Sequence, residues 1–388
     1  MNVLLTTILV RSGVLTHVWD LVKHLRTSGV NVSVAVIKTP YIMSALKLTD
    51  SELEKLLGPI AGVPFRFYGD RWELAGFARD VRPQLVHAHS PLCFPTSAAL
   101  AVALDVPLVL TLHGATYWQR AYPQILAQAC RIIAIGPEVA RSAGETQRGK
   151  IRIIYNGIDV DHFVPGSSLL TAEQPLQILW YGRVNQPSSR GAAMLDQAAA
   201  ALSAAGTPVR FRAAGHASGV SFTAIKQEGW VENTLPLLQQ SHVVFGRGRA
   251  LREAMACGCI GYLLGEGYGG RVDPSWFQSG YPSLSAAVRH GYPPAGAEAL
   301  LADMALLLAS SPGRIQKLRL EARQIAEEYF DAKEMVSAVC DVYRECLSAY
   351  AGREKKAALT GLPGGRAGLA AAFLKVLQSG NPGWHQKY

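Results

Sequence analysis

The residues best suited to chemistry lie in one stretch, 245–270, which reads FGRGRALREAMACGCIGYLLGEGYGG. Gly246 and Gly248 flank Arg247, Arg249 and Arg252 follow, and one carboxylate, Glu253, precedes a second glycine-rich loop that carries Glu266. Without a Cβ, Gly248 lets the amides of Arg249 and Ala250 approach a phosphate at a helix N-terminus, where unpaired N–H groups favour anions. A carboxylate one turn further on accepts two hydrogen bonds, which suits the hydroxyls of a ribose. The stretch therefore reads as a grip for a ribose and a diphosphate. Four more candidates stand in loops elsewhere: Gly13 after the first apolar run, His113 at the end of another, and Arg183 and Arg190 after a third. A neutral imidazole at His113 can bond a sugar hydroxyl or a developing charge. His17 and His89 read as core or cap residues.

These groups need elements that deliver loop ends to one place, and the hydrophobic pattern supplies them. An apolar run at 3–10 ends in Arg11-Ser12-Gly13. Leu15, Val18, Leu21, Val22 and Leu25 then recur at helical spacing until Gly29, and the next strand is 32–37. This is a βαβ unit, whose ligands sit beyond the carboxyl ends of its strands. The rhythm continues through strands at 85–89, 107–112, 132–135 and 151–155, with a helix at 137–142. A second series has strands at 178–181, 209–213, 229–231, 243–245 and 259–264, with helices at 192–205, 235–240 and 249–257 and from 298 onward. Between the series, 163–175 is rich in Pro, Gly, Ser and Thr and reads as a linker. The expectation is α/β, with a domain at 1–165, a second at 166–350, a cleft between them, and a basic tail at 351–388 that packs back on the body.

Bulk properties narrow the class. A chain of 388 residues, 49% hydrophobic and 17% charged, suits two globular domains and not a disordered segment. No run reaches the roughly 18 apolar residues that a membrane span requires. The start, MNVLLTTILV, reads as a strand and not as a signal peptide, so a cytoplasmic location is expected. Six cysteines without disulfide or zinc-finger spacing read as reduced thiols. The net charge of +9 divides as +4 over 1–165, zero over 166–350 and +5 over the tail. That places the basic excess where peripheral contact with an anionic membrane is an option. One GRGR copy inside an αβ unit does not make a nucleic-acid binder.

Several segments, in order, resemble the retaining glycosyltransferases of family 4. In the first half these are LVHAHS (85–90), LTLHG (110–114), IIAIG (132–136) and IIYNGIDVDHFVP (153–165). In the second half they are ILWYGRVNQPSSRG (178–191), GWVEN (229–233) and REAMACG (252–258). The resemblance, over roughly 1–345, implies the GT-B fold of two facing Rossmann-like domains. It also implies transfer of a sugar from a UDP- or GDP-linked donor to a sugar, small-molecule or lipid-linked acceptor, without metal or other cofactor.

Residue by residue, the resemblance gives Arg183 and Arg190 the stabilisation of the leaving diphosphate, with Arg190 standing where the family has Lys. Glu253 takes the ribose, Gly248, Arg249 and Ala250 the phosphates, His113 the reacting sugar, and Gly13 the first loop. The family's other acid, eight residues before Glu253, is Phe245 here. That departure leaves the sugar end of the donor site open, and Glu266 is a candidate to fill part of it. It also keeps two alternatives in view: a nucleotide-sugar epimerase or hydrolase on the same fold, and a non-catalytic nucleotide-binding subunit.

Overall fold

A computed structural model gives the architecture, and it describes residues 1–166, 174–217, 220–278, 284 and 296–360. The chain divides into two compact units, one joining Met1–Tyr155 to the segment that begins at Met335, the other spanning Asn156–Glu334.

The first unit is a seven-stranded sheet of β1 (Asn2–Thr7), β2 (Asn31–Ile37), β3 (Phe65–Tyr68), β4 (Leu85–Ala88), β5 (Leu108–Leu112), β6 (Arg131–Ala134) and β7 (Ile151–Ile153). Its order is β3-β2-β1-β4-β5-β6-β7, and every pairing is parallel. Parallel strands are covered on both faces, so they read as continuous apolar runs. Accordingly every residue of β4 and β5 is buried. β3, with only four residues and a half-exposed FRFY pattern, gives no such run and is missed by the sequence reading.

The second unit holds β8 (Leu176–Tyr181), β9 (Val209–Ala214), β10 (Lys226–Gly229), β11 (Val243–Gly246), β12 (Ile260–Leu264) and β13 (Tyr268–Arg271). They lie in the order β10-β9-β8-β11-β12-β13, parallel except for the antiparallel edge strand β13. Two expectations change here. The strand expected at 229–231 ends at Gly229, because it is the polar run Lys226–Gly229 that pairs with β9. The glycine-rich loop expected at 265–270 gives its last part to β13, whose backbone pairs with β12 despite its glycines.

The unit boundaries also differ from the division at 165/166 and 350/351. Residues 156–163 are fastened into the second unit. Ile158 N–H donates to Phe330 O at 2.8 Å, and Arg252 and Arg323 donate to the carbonyls of Asn156, Val160 and Phe163. The long helix Ala332–Thr360 carries the chain back to the first unit, where Tyr343 OH lies 2.7 Å from His87 Nδ1 and Glu345 pairs with Arg131 and Arg152. The side chains of 353–360 and everything after 360 lie outside the described residues, and with them the expected packing of the tail. Most of the linker at 163–175 does so too.

Candidate functional site

In an open parallel sheet the ligand crevice forms where successive crossovers leave in opposite directions. In the second unit that point lies between β8 and β11, since β8 is followed by β9 on one side and β11 lies on the other. The residues singled out in 245–270 meet the loop of Arg183 at this place.

Arg183 leaves the end of β8 in an exposed loop. Asn185 closes that loop by capping the helix Gln186–Ala204 reciprocally with Ser188, whose hydroxyl also donates to Arg183 O at 3.1 Å. Arg190 is exposed on the first turns of the same helix. The helix comes close to the sheet at Gly191, whose N–H donates to Gly265 O at 2.9 Å, while an added Cβ would stand 2.2 Å from that oxygen. Only glycine fits. The same holds at the end of β9, where Gly215, with φ +130°, would bring a Cβ within 2.3 Å of Gly182 O.

From the other side of the switch point comes the helix Gly248–Ala256, with Arg247 as its extended N-cap and Gly248 at φ +61°. Leu251, Ala254 and Met255 bury one stripe of it in the core, a spacing of three and four residues that fits a helix packed on a sheet. Gly248 N–H donates to Leu284 O at 2.6 Å. Arg247 reaches Asn185 Oδ1 at 3.5 Å; burial holds its guanidinium below the ordinary arginine range, opposed by the charge of the exposed Glu266.

Glu253 is only 6% exposed, and both its oxygens are held. Arg249 Nε donates to Oε1 at 2.6 Å and Tyr181 OH donates to Oε2 at 2.7 Å. Arg249 Nη1 also reaches Gly157 O at 3.3 Å. Burial first, and the charge of Glu253 second, push the Tyr181 phenol well above its usual range, so it stays a donor. A carboxylate so held cannot swing away, and its remaining lone pairs can still accept from hydroxyls. Tyr181 was missed by sequence reasoning. It ends an apolar strand and carries no local mark of its role.

The expected sugar-facing position resolves differently. Phe245 is fully buried inside β11, stacked on Tyr262 with ring centroids 5.0 Å apart, in the cluster that includes Trp180 and Leu195. It is a core residue, and the strand opens toward the loop only after Gly246.

In the first unit the corresponding switch point lies between β1 and β4. Gly13 opens the helix Gly13–Thr27, capped by Ser12, with nothing within 4 Å of where its Cβ would be. Beside it three histidines converge: His17 on that helix, His89 after β4 and His113 after β5. One ligating nitrogen from each lies within 4.8 Å of the others. His17 and His89 are buried, as their reading as core residues anticipates, while His113 is partly exposed. His113 Nε2 and His89 Nδ1 are 3.4 Å apart. Burial pushes the His113 imidazole down to about 3 and that of His89 well below its usual value, so both are neutral near pH 7. Beneath them His87 is clamped between Tyr343 OH and Thr111 Oγ1, each at 2.7 Å, with its ring 4.0 Å from that of His89. The strand pattern LVHAH shows two of these histidines. It does not show that His17 and His113 come to meet them.

Two α/β units, each built on a mainly parallel sheet with a switch in its strand order, make up the GT-B type of fold. Comparison agrees. Residues 11–162 match the sequence profile of glycosyltransferase family 4. HepE from Anabaena, solved in complex with UDP, superposes with a TM-score of 0.62 at 14% identity, covering 88% of this chain and 99% of its own. Sucrose-phosphate synthase from Thermosynechococcus elongatus superposes at 0.58 with 15% identity, over 89% of this chain and 99% of its own. UDP-GlcNAc 2-epimerase from Neisseria meningitidis, bound to UDP-GlcNAc, does so at 0.55 with 10% identity, over 88% and 99%. No curated protein matches the sequence. At these identities the likeness is one of fold. Among the described residues no helix is long and apolar enough to cross a membrane.

Proposed function

We propose that the chain is a retaining, metal-independent glycosyltransferase that moves a sugar from a nucleotide-diphosphate sugar to an acceptor hydroxyl. The observation that carries this reading is the constellation at the β8/β11 switch point. A buried carboxylate held by Arg249 and Tyr181 stands one turn from a helix N-terminus, beside an exposed arginine loop. Glu253 accepts the ribose hydroxyls. The amides of Arg249 and Ala250, behind Gly248, face the diphosphate, and Arg183 and Arg190 neutralise the charge that builds on it as the glycosidic bond lengthens. Glu266 and Arg247 lie toward the sugar. UDP in HepE and UDP-GlcNAc in the epimerase occupy proteins of this fold, which supports a UDP-linked donor.

The first unit supplies the acceptor side through Gly13 and His113. The loop after His113 lines an open depression with Ala115, Thr116, Tyr117 and Arg120, and the exposed Tyr117 offers a ring face on which a sugar can stack. Retention and independence of metal follow from the family resemblance. A diphosphate oxygen is the base in that scheme, since departure and attack share one face.

Incubation with a panel of nucleotide sugars, with and without acceptor sugars, tests the reading. Release of nucleoside diphosphate that depends on acceptor is expected. Free sugar or epimer formed from donor alone would instead establish the epimerase or hydrolase reading, which the resemblance to UDP-GlcNAc 2-epimerase keeps in play.

A further inference from the structure

The histidine cluster of the first unit has a geometry that sugar chemistry does not require. Among the described residues it is the one place where three metal-ligating side chains converge. A zinc–imidazole bond is about 2.0–2.1 Å, so two nitrogens on a tetrahedral zinc stand about 3.3 Å apart. His89 Nδ1 and His113 Nε2 are separated by 3.4 Å, which is long for a hydrogen bond between ring nitrogens and close to that tetrahedral edge. One ligating nitrogen from each of His17, His89 and His113 lies within 4.8 Å of the others, so His17 stands within reach of an ion held by the other two.

The composition of the cluster narrows the kind of ion. No carboxylate belongs to the cluster, which disfavours magnesium and calcium and favours cations that prefer imidazole. His113 is partly exposed, which gives an ion a way in from solvent.

We propose that His17, His89 and His113 form a three-histidine site for a divalent cation of the zinc type. His87, fixed by Tyr343 and Thr111, packs against His89 and holds its ring for coordination. If His113 also contacts the reacting sugar, as proposed above, the bound metal competes for its lone pair and slows transfer. The binding site itself does not depend on that reading.

Titration of the metal-stripped full chain with zinc chloride, followed by calorimetry and by thermal unfolding, tests the site. One zinc per chain and a raised melting temperature are expected. His17→Ala and His113→Ala should each weaken binding at least tenfold, and His162→Ala, an exposed histidine of the other unit, should leave it unchanged. Cobalt in place of zinc should show visible ligand-field bands without thiolate-to-cobalt charge transfer. Absence of heat and of thermal shift with the wild-type chain would overturn the proposal. So would unchanged affinity in a folded His17 or His113 variant, or a thiolate band assigning the metal to cysteine.

Discussion

The two switch points, built on the same kind of sheet, carry opposite chemistry. In the second unit the groups are fixed charges that already hold one another, since Glu253 has a partner on each oxygen and stands among arginines. In the first unit the groups are neutral rings, and buried nitrogens of His89 and His113 have no partner among the described residues. The lesson is about preorganisation. A diphosphate needs charge that does not move when it arrives, whereas a sugar hydroxyl or a metal needs a lone pair that burial has kept free of protons.

The largest expected effect tests the charged side. Arg183→Ala should lower kcat by about 100-fold to 1,000-fold, the usual loss when one stabilising donor is removed from a developing anion. Steady-state rates with the donor found by the panel would show it. A loss below about threefold would make Arg183 an ordinary surface residue.

Glu253→Gln removes a charge that holds Arg249 and, on this account, the ribose. Donor binding should weaken about 10-fold to 100-fold, in line with hydrogen bonds to charged groups. Calorimetry with nucleoside diphosphate measures this without turnover. His113→Ala is its counterpart in the first unit. It should lower kcat by about 10-fold to 100-fold and leave the nucleotide Kd within about twofold. If the two variants had the same profile, the division of labour between the units would be lost.

A pH series addresses the neutral rings. The folded pKa of His87 lies at about 3, depressed mainly by burial, against 6.5 for the unperturbed group. The unfolded chain therefore binds the proton more readily. The stability of the neutral form is fully present above pH 6.5 and is lost as pH falls from there toward 3. The slope for each such ring is about 1 kcal/mol per pH unit. Melting temperatures between pH 7 and 4 should decline accordingly; a flat profile would show that these rings are not buried neutral. Smallest of all, Tyr181→Phe leaves Glu253 with Arg249 and should weaken nucleotide binding only about twofold to fivefold.

The contrast also explains what could be read from the sequence. Strands covered on both faces announce themselves, so β1, β2, β4, β5, β8, β11 and β12 follow from their apolar runs. Edges are less dependable: β7 was read at 151–155, whereas β3 is short and half exposed, and β13 is a YGGR segment whose strand character comes from pairing with β12. The charged cluster around Glu253, whose role as a grip is the proposal made above, was legible as a cluster because most of its residues lie within one stretch. The histidine trio was not, since residues at 17, 89 and 113 meet only through the β3-β2-β1-β4-β5 order of the sheet. Phe245 shows the converse case. The spacing aligned it with the family's sugar-facing acid, and the structure buries it in β11 against Tyr262.

The central claim is that the second unit grips a nucleoside diphosphate through Glu253 and the helix that begins at Gly248. Calorimetric titration of the intact chain with UDP and with GDP tests it most directly. The account predicts one site per chain for at least one of the two, weakened in Glu253→Gln. Absence of binding to both at millimolar nucleotide would contradict it, and would leave a GT-B scaffold with no donor to hold.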